Sequence, residues 1–324
     1  MRFAVIGTGF ITEMFIEQGR LCDDFHVEAV LSRTFSRGQD FANRLNIPKI
    51  YSDIEVLAKD KSIDAVYIAS PNSMHKQQTI AMLNAGKHVL CEKPIASNSE
   101  ELAEMLKCAD ENNKVLLEAM RLSFNPLLGE VKKQMNLMGS ATQAYLTFCK
   151  YSSRYDAYKE GKSPNTFDPK FSNGSLMDLG VYCVSLMVEL FGVPKQILAS
   201  CSKLENGFDR SGSILAHYSD LDVTLTYSKV ATTRLKSEIL FEKGAITIGT
   251  LSTFEGVKIH KDGEATLELQ ADTADMRYEI EAFIRLCDTQ ASIAHHHKIS
   301  IETMNIIDEA NRQCGIVNLN HRQV

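Results

Sequence analysis

The chain has 324 residues, 44% of them hydrophobic, and a formal net charge of −6. That length supports two domains with cores of their own. The acidic balance argues against a nucleic-acid partner, and the lack of a run of about 18 apolar residues argues against a membrane partner.

The chain enters a strand pattern at once, Met1-Arg2-Phe3-Ala4-Val5-Ile6, with no signal peptide before it. The strand runs into Gly7-Thr8-Gly9-Phe10-Ile11-Thr12, and a helical pattern follows to about Cys22. Strand, glycine turn and helix is the setting in which a dinucleotide fingerprint counts. Gly7 permits the tight turn, Gly9 lets a pyrophosphate approach the backbone, and the helix starting near Phe10 aims N–H groups and its positive end at the phosphates. Thr8 and Ile11 complete that loop. Thr12 stands where a third glycine is usual, which predicts slightly looser helix–strand packing.

A second strand, His26 to Leu31, should end in an acid if it meets a free ribose 2′-hydroxyl. Instead the chain reads Ser32-Arg33-Thr34-Phe35-Ser36-Arg37. Ser32, Arg33 and Arg37 would suit a 2′-phosphate, because arginine grips phosphate in bidentate fashion. NADP(H) is therefore favoured over NAD(H), the alternative being that both arginines are plain surface residues.

The rhythm continues with helices over 39–45 and 53–59 and a strand over 63–69. Ser70, Pro71, Asn72 and His75 fall just past that strand end on the cofactor side, with His75 expected to line the site. A helix over 73–84 stops at Gly86. The run His88-Val-Leu-Cys-Glu-Lys-Pro-Ile-Ala96 reads as a buried strand halted at Glu92-Lys93-Pro94. Lys93 should stand at the carboxyl end of the sheet, where ligands of such folds bind, and its bond to Pro94 is expected in cis. Glu92 should support the cofactor end. Ser97-Asn98-Ser99-Glu100 has the spacing of a capping box before a helix to about Asn112, and 114–120 is a further strand. The alternation predicts a doubly wound, parallel α/β sheet (a Rossmann domain) over 1–121.

From residue 122 the texture changes. Extended segments over 141–151, 196–204, 213–218, 223–230, 237–242, 245–249 and 253–260 follow without intervening helices. They predict an α+β domain over 122–324 with a large, mainly antiparallel, open-faced sheet. One face needs helices; the other is free to make a homodimer or homotetramer. Residues 151–171 read as a long polar loop over the active site, and helices are expected over 274–289 and 300–314. The apolar helix from Gly174 to Phe191 carries Asp178 and Tyr182, four apart and so on one face. They are either a buried hydrogen-bonded pair or a working one. His295-His296-His297 cannot share one face and has no framing carboxylate or cysteine, so an exposed loop is expected there and no metal. Eight cysteines occur singly, with no Cys-x-x-Cys. They read as free thiols of a reducing, cytoplasmic compartment.

Gly7-x-Gly9, Glu92-Lys93-Pro94 and Asp178-x-Gly180-x-Tyr182, in that order and spacing, resemble the Gfo/Idh/MocA oxidoreductases across essentially the whole chain. Tyr182, where many members have histidine, is similar to the dimeric dihydrodiol dehydrogenase and glucose–fructose oxidoreductase type, as is the ending Asn311-Arg312-Gln313-Cys314-Gly315-Ile316. The resemblance implies an NADP(H)-dependent enzyme exchanging a hydride with a sugar, polyol, cyclic diol or related carbonyl. It implies Tyr182 as acid/base, Lys93 as its electrostatic partner and Asp178 as a positioner. Arg121 and Asn125 become candidate substrate contacts, although Ser123 stands where relatives carry an arginine. A lysine ammonium nearby would favour the phenolate of a tyrosine that ordinarily titrates near about 10. The competing reading is a catalytically silent nucleotide-binding regulator on the same fold; the presence of Lys93, Asp178 and Tyr182 together favours the enzyme.

Overall fold

A computed structural model describes residues 1–289 and 291–316. They fall into two compact units, Met1–Met120 with Ala274–Ile301, and Arg121–Thr273 with the residues from Glu302 on.

The first unit is built on a parallel sheet of β1 (Arg2–Ile6), β2 (His26–Leu31), β3 (Lys49–Tyr51), β4 (Ala65–Ile68), β5 (His88–Glu92) and β6 (Leu116–Ala119), in the order 3-2-1-4-5-6. This is the order of a doubly wound dinucleotide fold. Its connections are α1 (Phe10–Gly19), α2 (Phe35–Leu45), α3 (Ile54–Ala58), α4 (His75–Asn84) and α5 (Ser99–Glu111). Every residue of β4 and β6 is buried, as expected of strands covered on both faces. The strand β3 escaped the sequence reading because three residues carry no period. The helix α5 is capped one residue later than the Ser97–Glu100 box predicts. Asn98 Oδ1 accepts from Glu101 N–H at 2.8 Å, and Glu101 reaches back to Ser97 N–H at 3.1 Å. Asparagine caps as well as serine.

The second unit is built on eight strands: β7 (Ala141–Cys149), β8 (Gln196–Lys203), β9 (Asp209–His217), β10 (Asp222–Ser228), β11 (Ser237–Phe241), β12 (Gly244–Ile248), β13 (Val257–Lys261) and β14 (Leu267–Leu269). Their order is 14-13-12-11-7-10-9-8. Pairing is antiparallel except between β7 and β10, which run parallel. Val223, Leu225 and Tyr227 of β10 point to the buried face. That face is covered by α8 (Val181–Phe191), which follows α6 (Pro126–Met135) and α7 (Arg154–Lys159) in the chain and packs against β7 and β10. On the other face, Leu198, Leu215 and Tyr145 stay exposed along one cross-strand row that also contains Thr224.

Residues 151–171 are not the open loop predicted. They form α7 and two 3-10 turns, Asn165–Phe167 and Pro169–Phe171. Tyr151, Tyr155 and Tyr158 sit at helical spacing, and Tyr155 and Tyr158 pack their rings on Phe167, itself against Phe208 at 4.8 Å. That i, i+4, i+7 aromatic pattern was the available signal. The stretch Pro169–Phe191 is long and apolar enough to cross a membrane by composition alone, with a mean hydropathy of 1.5, but 78% of that window is buried inside the protein. Its last part is α8, the core helix of this unit.

Two helices close the chain. The first, α9 (Met276–Thr289), packs on α1 within the first unit, where Phe283 lies 5.9 Å from Phe3 and Met276 N–H donates to Gln18 Oε1 at 2.8 Å. Residues 274–301, which sequence reasoning put wholly in a second domain, are therefore grouped by packing with the first. The other, α10 (Ala294–Gln313), begins earlier than predicted and takes His295, His296 and His297 into its first turn rather than a loop; His297 Nε2 donates to Leu116 O at 2.9 Å.

Candidate active site

In the first unit, β1 delivers the chain to Gly7, whose φ of +118° and whose missing Cβ are both required. A Cβ there would lie 2.6 Å from Ala69 O. Gly9 is the N-cap of α1, and no side chain caps that helix. A Cβ on Gly9 would meet nothing within 4 Å, and Phe10 beside it is exposed. An open, uncapped helix start behind a glycine turn is a cradle that fits a diphosphate. Thr8 and Ile11 are half-buried at its sides. Thr12 is fully buried, with its hydroxyl 3.5 Å from the position of a Gly7 Cβ and without a hydrogen-bond partner among the described residues. The extra atoms fill the space under the turn that a third glycine would leave.

At the end of β2, Ser32 is buried, with its hydroxyl donating to Thr34 O at 3.0 Å and its N–H to Tyr51 O at 2.9 Å. Its side chain is thus engaged locally. Arg33 and Arg37 are exposed, the latter in the first turn of α2. No carboxylate of the Ser32–Arg37 segment competes for them.

The Lys93 turn is held from several sides. Lys93–Pro94 is a cis bond, and Lys93 is the one residue from Val89 to Asn98 that is not buried. Tyr67 stacks on Phe15 of α1 with centroids 3.7 Å apart and donates to Glu92 Oε1 at 2.5 Å. The other Glu92 oxygen accepts from Lys93 N–H at 3.2 Å. The buried Glu118 accepts from Ile95 N–H at 3.0 Å and from Ser300 Oγ at 2.5 Å, and burial pushes its pKa above the usual carboxylate range. His75 is completely buried. Its Nδ1 lies 3.0 Å from Pro94 O and its Nε2 2.9 Å from Ser70 O. Burial lowers the His75 pKa, with the two carbonyls opposing it. His75 therefore does not line the site as predicted; it ties the Ser70–Asn72 segment to the Lys93 turn. Ser70 Oγ is occupied with Gln78 Oε1 at 2.6 Å, and Pro71 and Asn72 open a short 3-10 turn before α4.

In the second unit, Asp178 lies in a π-helical turn, Leu176–Gly180, that leads directly into α8 and Tyr182. Such π-turns concentrate at functional sites. The i, i+4 stacking predicted for Asp178 and Tyr182 assumed an unbroken α-helix, and the wider turn changes that geometry. Gly180 fits the turn closely, because a Cβ would lie 2.8 Å from Leu176 Cδ1 and 3.0 Å from the Tyr227 ring. The turn is anchored at its start by the buried Asp209, which accepts from Ser175 N–H at 3.0 Å and Leu176 N–H at 2.8 Å. Burial raises Asp209 to about 7. Tyr182 is buried, edge-on to Phe148 with centroids 5.4 Å apart.

Asp178 is half-exposed and paired with Lys229, whose Nζ lies 2.8 Å from Asp178 Oδ2. Sequence reasoning missed Lys229, Asp209, Phe167 and Phe208. Lys229 sits one residue past β10, and nothing local distinguishes it from a surface lysine. Of the candidate substrate contacts, Asn125 is buried as the N-cap of α6, accepting from Leu127 N–H at 3.0 Å and donating to Thr253 O at 3.5 Å. Both ends of its amide serve the fold. Arg121 opens a 3-10 turn and is half-buried.

Comparison with known proteins supplies the family. Residues 1–120 match the model of an oxidoreductase family with an NAD-binding Rossmann fold, GFO_IDH_MocA, and residues 139–247 match the GFO/IDH/MocA C-terminal domain. The chain is 40% identical to the scyllo-inositol 2-dehydrogenase (NADP(+)) IolU of Bacillus subtilis (strain 168), covering 98% of each. It is 29% identical to D-xylose 1-dehydrogenase (NADP(+)) 2 of Haloferax volcanii, covering 95% of each. It is also 31% identical to trans-1,2-dihydrobenzene-1,2-diol dehydrogenase of Mus musculus over 67% of this chain and 65% of that one. The structure of the 3-ketoreductase KijD10 from Actinomadura kijaniata, solved with NADP and TDP-benzene, shares the fold with a TM-score of 0.87 at 19% identity, covering 97% of this chain and 98% of that one. With both of its halves matched, the chain belongs to the GFO/IDH/MocA oxidoreductase family, as its motifs imply.

Proposed function

We propose that the protein is an NADP(H)-dependent dehydrogenase of a polyol or sugar, acting on a ring carbon that bears a hydroxyl or carbonyl group. The observation that carries the reading is the Asp178 π-turn. A half-exposed carboxylate and the tyrosine four residues on are held by a capped, glycine-fitted segment of otherwise apolar core, an expense of burial that a silent nucleotide sensor does not need. Likeness to IolU and to the xylose dehydrogenase, both named for NADP(+), supports the cofactor and the substrate class.

The residues suited to hold the dinucleotide are Gly7 to Ile11 for the diphosphate, Arg33 and Arg37 for the 2′-phosphate, and the Ser70–Asn72 and Glu92–Lys93 segments for the nicotinamide half. When bound, the nicotinamide accepts or returns the hydride. The chain's own work is to orient the substrate and move one proton. In oxidation, Tyr182 takes the hydroxyl proton as the carbon is oxidised and returns it to the carbonyl oxygen in reduction. Lys93 supplies positive charge that steadies the oxygen through that change. Asp178 accepts a hydrogen bond from a substrate hydroxyl. In domain terms, residues 1–121 bind the cofactor and 122–324 carry substrate recognition, with 274–301 packed on the former. The exposed Leu198, Leu215 and Tyr145 row suits a second copy of the chain, giving a homodimer or homotetramer, and the eight free cysteines suit a reducing cytoplasm.

The test is a panel of scyllo-inositol, other inositols, D-xylose and a cyclic diol, each with NADP+ and NAD+, read at the reduced-nicotinamide absorbance band. Turnover of at least one polyol or sugar, faster with NADP+, is expected. Turnover of none of them, with NADPH bound tightly, would instead favour a nucleotide-binding regulator.

A further inference from the structure

Resting on the reading of Asp178 as a group that meets substrate, we propose that Lys229 is a positioning residue. It fixes the Asp178 carboxylate in one orientation and in its ionised form, and so determines how strongly a substrate hydroxyl is recognised.

Lysines are almost never buried unless paired, and the Lys229 side chain is only 6% exposed while that of Asp178 is 37% exposed. The asymmetry assigns the roles: the lysine is the anchor and the carboxylate is the group presented. Four contacts fix the ammonium. Its Nζ is 2.8 Å from Asp178 Oδ2 and 3.4 Å from Thr166 O, and it lies over the rings of Phe167 at 5.3 Å and Phe208 at 5.9 Å. Cation–π attraction of this kind strengthens when water is excluded. The backbone is equally fixed. Lys229 N–H is shared between Arg210 O at 3.1 Å and Ser175 Oγ at 3.2 Å, and Ser175 Oγ in turn donates to Arg210 O at 2.7 Å. Ser175 immediately precedes the π-turn that carries Asp178. Lysine and aspartate are thus rooted to the same short segment, and neither can swing without breaking the other's supports.

The chemistry follows from charge. An ammonium in direct contact opposes protonation of the carboxylate. Asp178 is then a poor proton acceptor and a strong, fixed hydrogen-bond acceptor. The proton is left to Tyr182, and Asp178 with Lys229 becomes a specificity device for a hydroxyl on the substrate ring.

The experiment uses the full chain as wild type, Lys229→Met, Lys229→Arg, Asp178→Asn and the Lys229→Met/Asp178→Asn double variant. NADPH binding and the thermal melting of the whole chain together report on integrity. Two readouts follow. The first is a carbon-13 carboxyl NMR titration of Asp178, assigned by its loss in Asp178→Asn. The Asp178 midpoint in Lys229→Met should lie above that of wild type, because the ammonium that opposes protonation is gone. The second is steady-state kinetics on scyllo-inositol with NADP+. Lys229→Met should raise KM about tenfold with kcat changed less than roughly threefold. Lys229→Arg should recover most of that loss, and Lys229→Met should add little to Asp178→Asn.

An Asp178 midpoint that does not respond to Lys229→Met, or kinetic losses that multiply fully in the double variant, would overturn the proposal. If Lys229→Met does not fold, Lys229→Arg decides: a KM raised as far as in Asp178→Asn contradicts the assignment. If neither scyllo-inositol nor D-xylose is turned over, it is the proposed activity that fails, and the NMR titration still settles the role of Lys229.

Discussion

Lys93 and Asp178 are both polar groups presented from a buried segment, yet they are held by different means. The Lys93 turn is fixed mainly through backbone. Lys93 N–H, Pro94 O and Ile95 N–H are each taken by a side chain of the same unit, from Glu92, His75 and Glu118 respectively. Asp178 stands on a π-turn fixed at its start by Asp209, fitted around Tyr227 by Gly180, and charge-balanced by Lys229. The first device uses side chains to hold the path of the backbone from which Lys93 projects. The second also holds the presented carboxylate itself, through its ion pair with Lys229. Function in the second unit should therefore be lost by changing the partner of the reactive group as well as the group itself.

The largest break should come at Lys93 itself. Lys93→Met removes the charge that steadies the reacting oxygen, so turnover should fall by about 10³ or more, read by steady-state kinetics at saturating NADP+. Next is Arg33→Ala/Arg37→Ala, which should weaken NADPH binding by roughly 10- to 100-fold and leave NADH binding nearly unchanged, measured by cofactor fluorescence titration. In the second unit, Gly180→Ala should destabilise by about 2 kcal/mol, because the Tyr227 ring and Leu176 must give way. It should also depress activity through Asp178, as denaturant midpoints and kinetics together would show. A last effect concerns pH. Asp209 is raised from 3.8 to about 7 by burial, so the folded unit keeps a proton that the unfolded chain releases near about pH 4. Its contribution to stability is full below that pH and is lost as pH rises toward about 7. The stability of wild type relative to Asp209→Asn should therefore decline over that window and level off above it.

The same contrast explains what could be read without a structure. The parallel sheet, the Gly7 turn, the Lys93 turn and the alternation of β10 are local patterns, and each was legible because backbone geometry dictates residue type at short range. Asp178, Gly180 and Tyr182 were recognisable as a spaced motif. What held them was not. Lys229 is 51 residues beyond Asp178 in the sequence, and its ammonium is enclosed by Asp178, Thr166, Phe167 and Phe208, a convergence that no local pattern announces. His75 read as a lining residue because its position past a strand end is visible while its two carbonyl partners are not. Asn125 read as a substrate contact, although Asn-Pro at a helix start is the ordinary signature of a cap. The aromatic spacing of Tyr151, Tyr155 and Tyr158 was present in the sequence and was masked by the polar residues between them.

The account rests most heavily on Tyr182 as the residue that exchanges the proton. The direct measurement is the rate of nicotinamide reduction by Tyr182→Phe with scyllo-inositol and NADP+, alongside its affinity for NADPH. The account predicts turnover lower by about 10² to 10⁴ with cofactor affinity unchanged; turnover near the wild-type rate would contradict it.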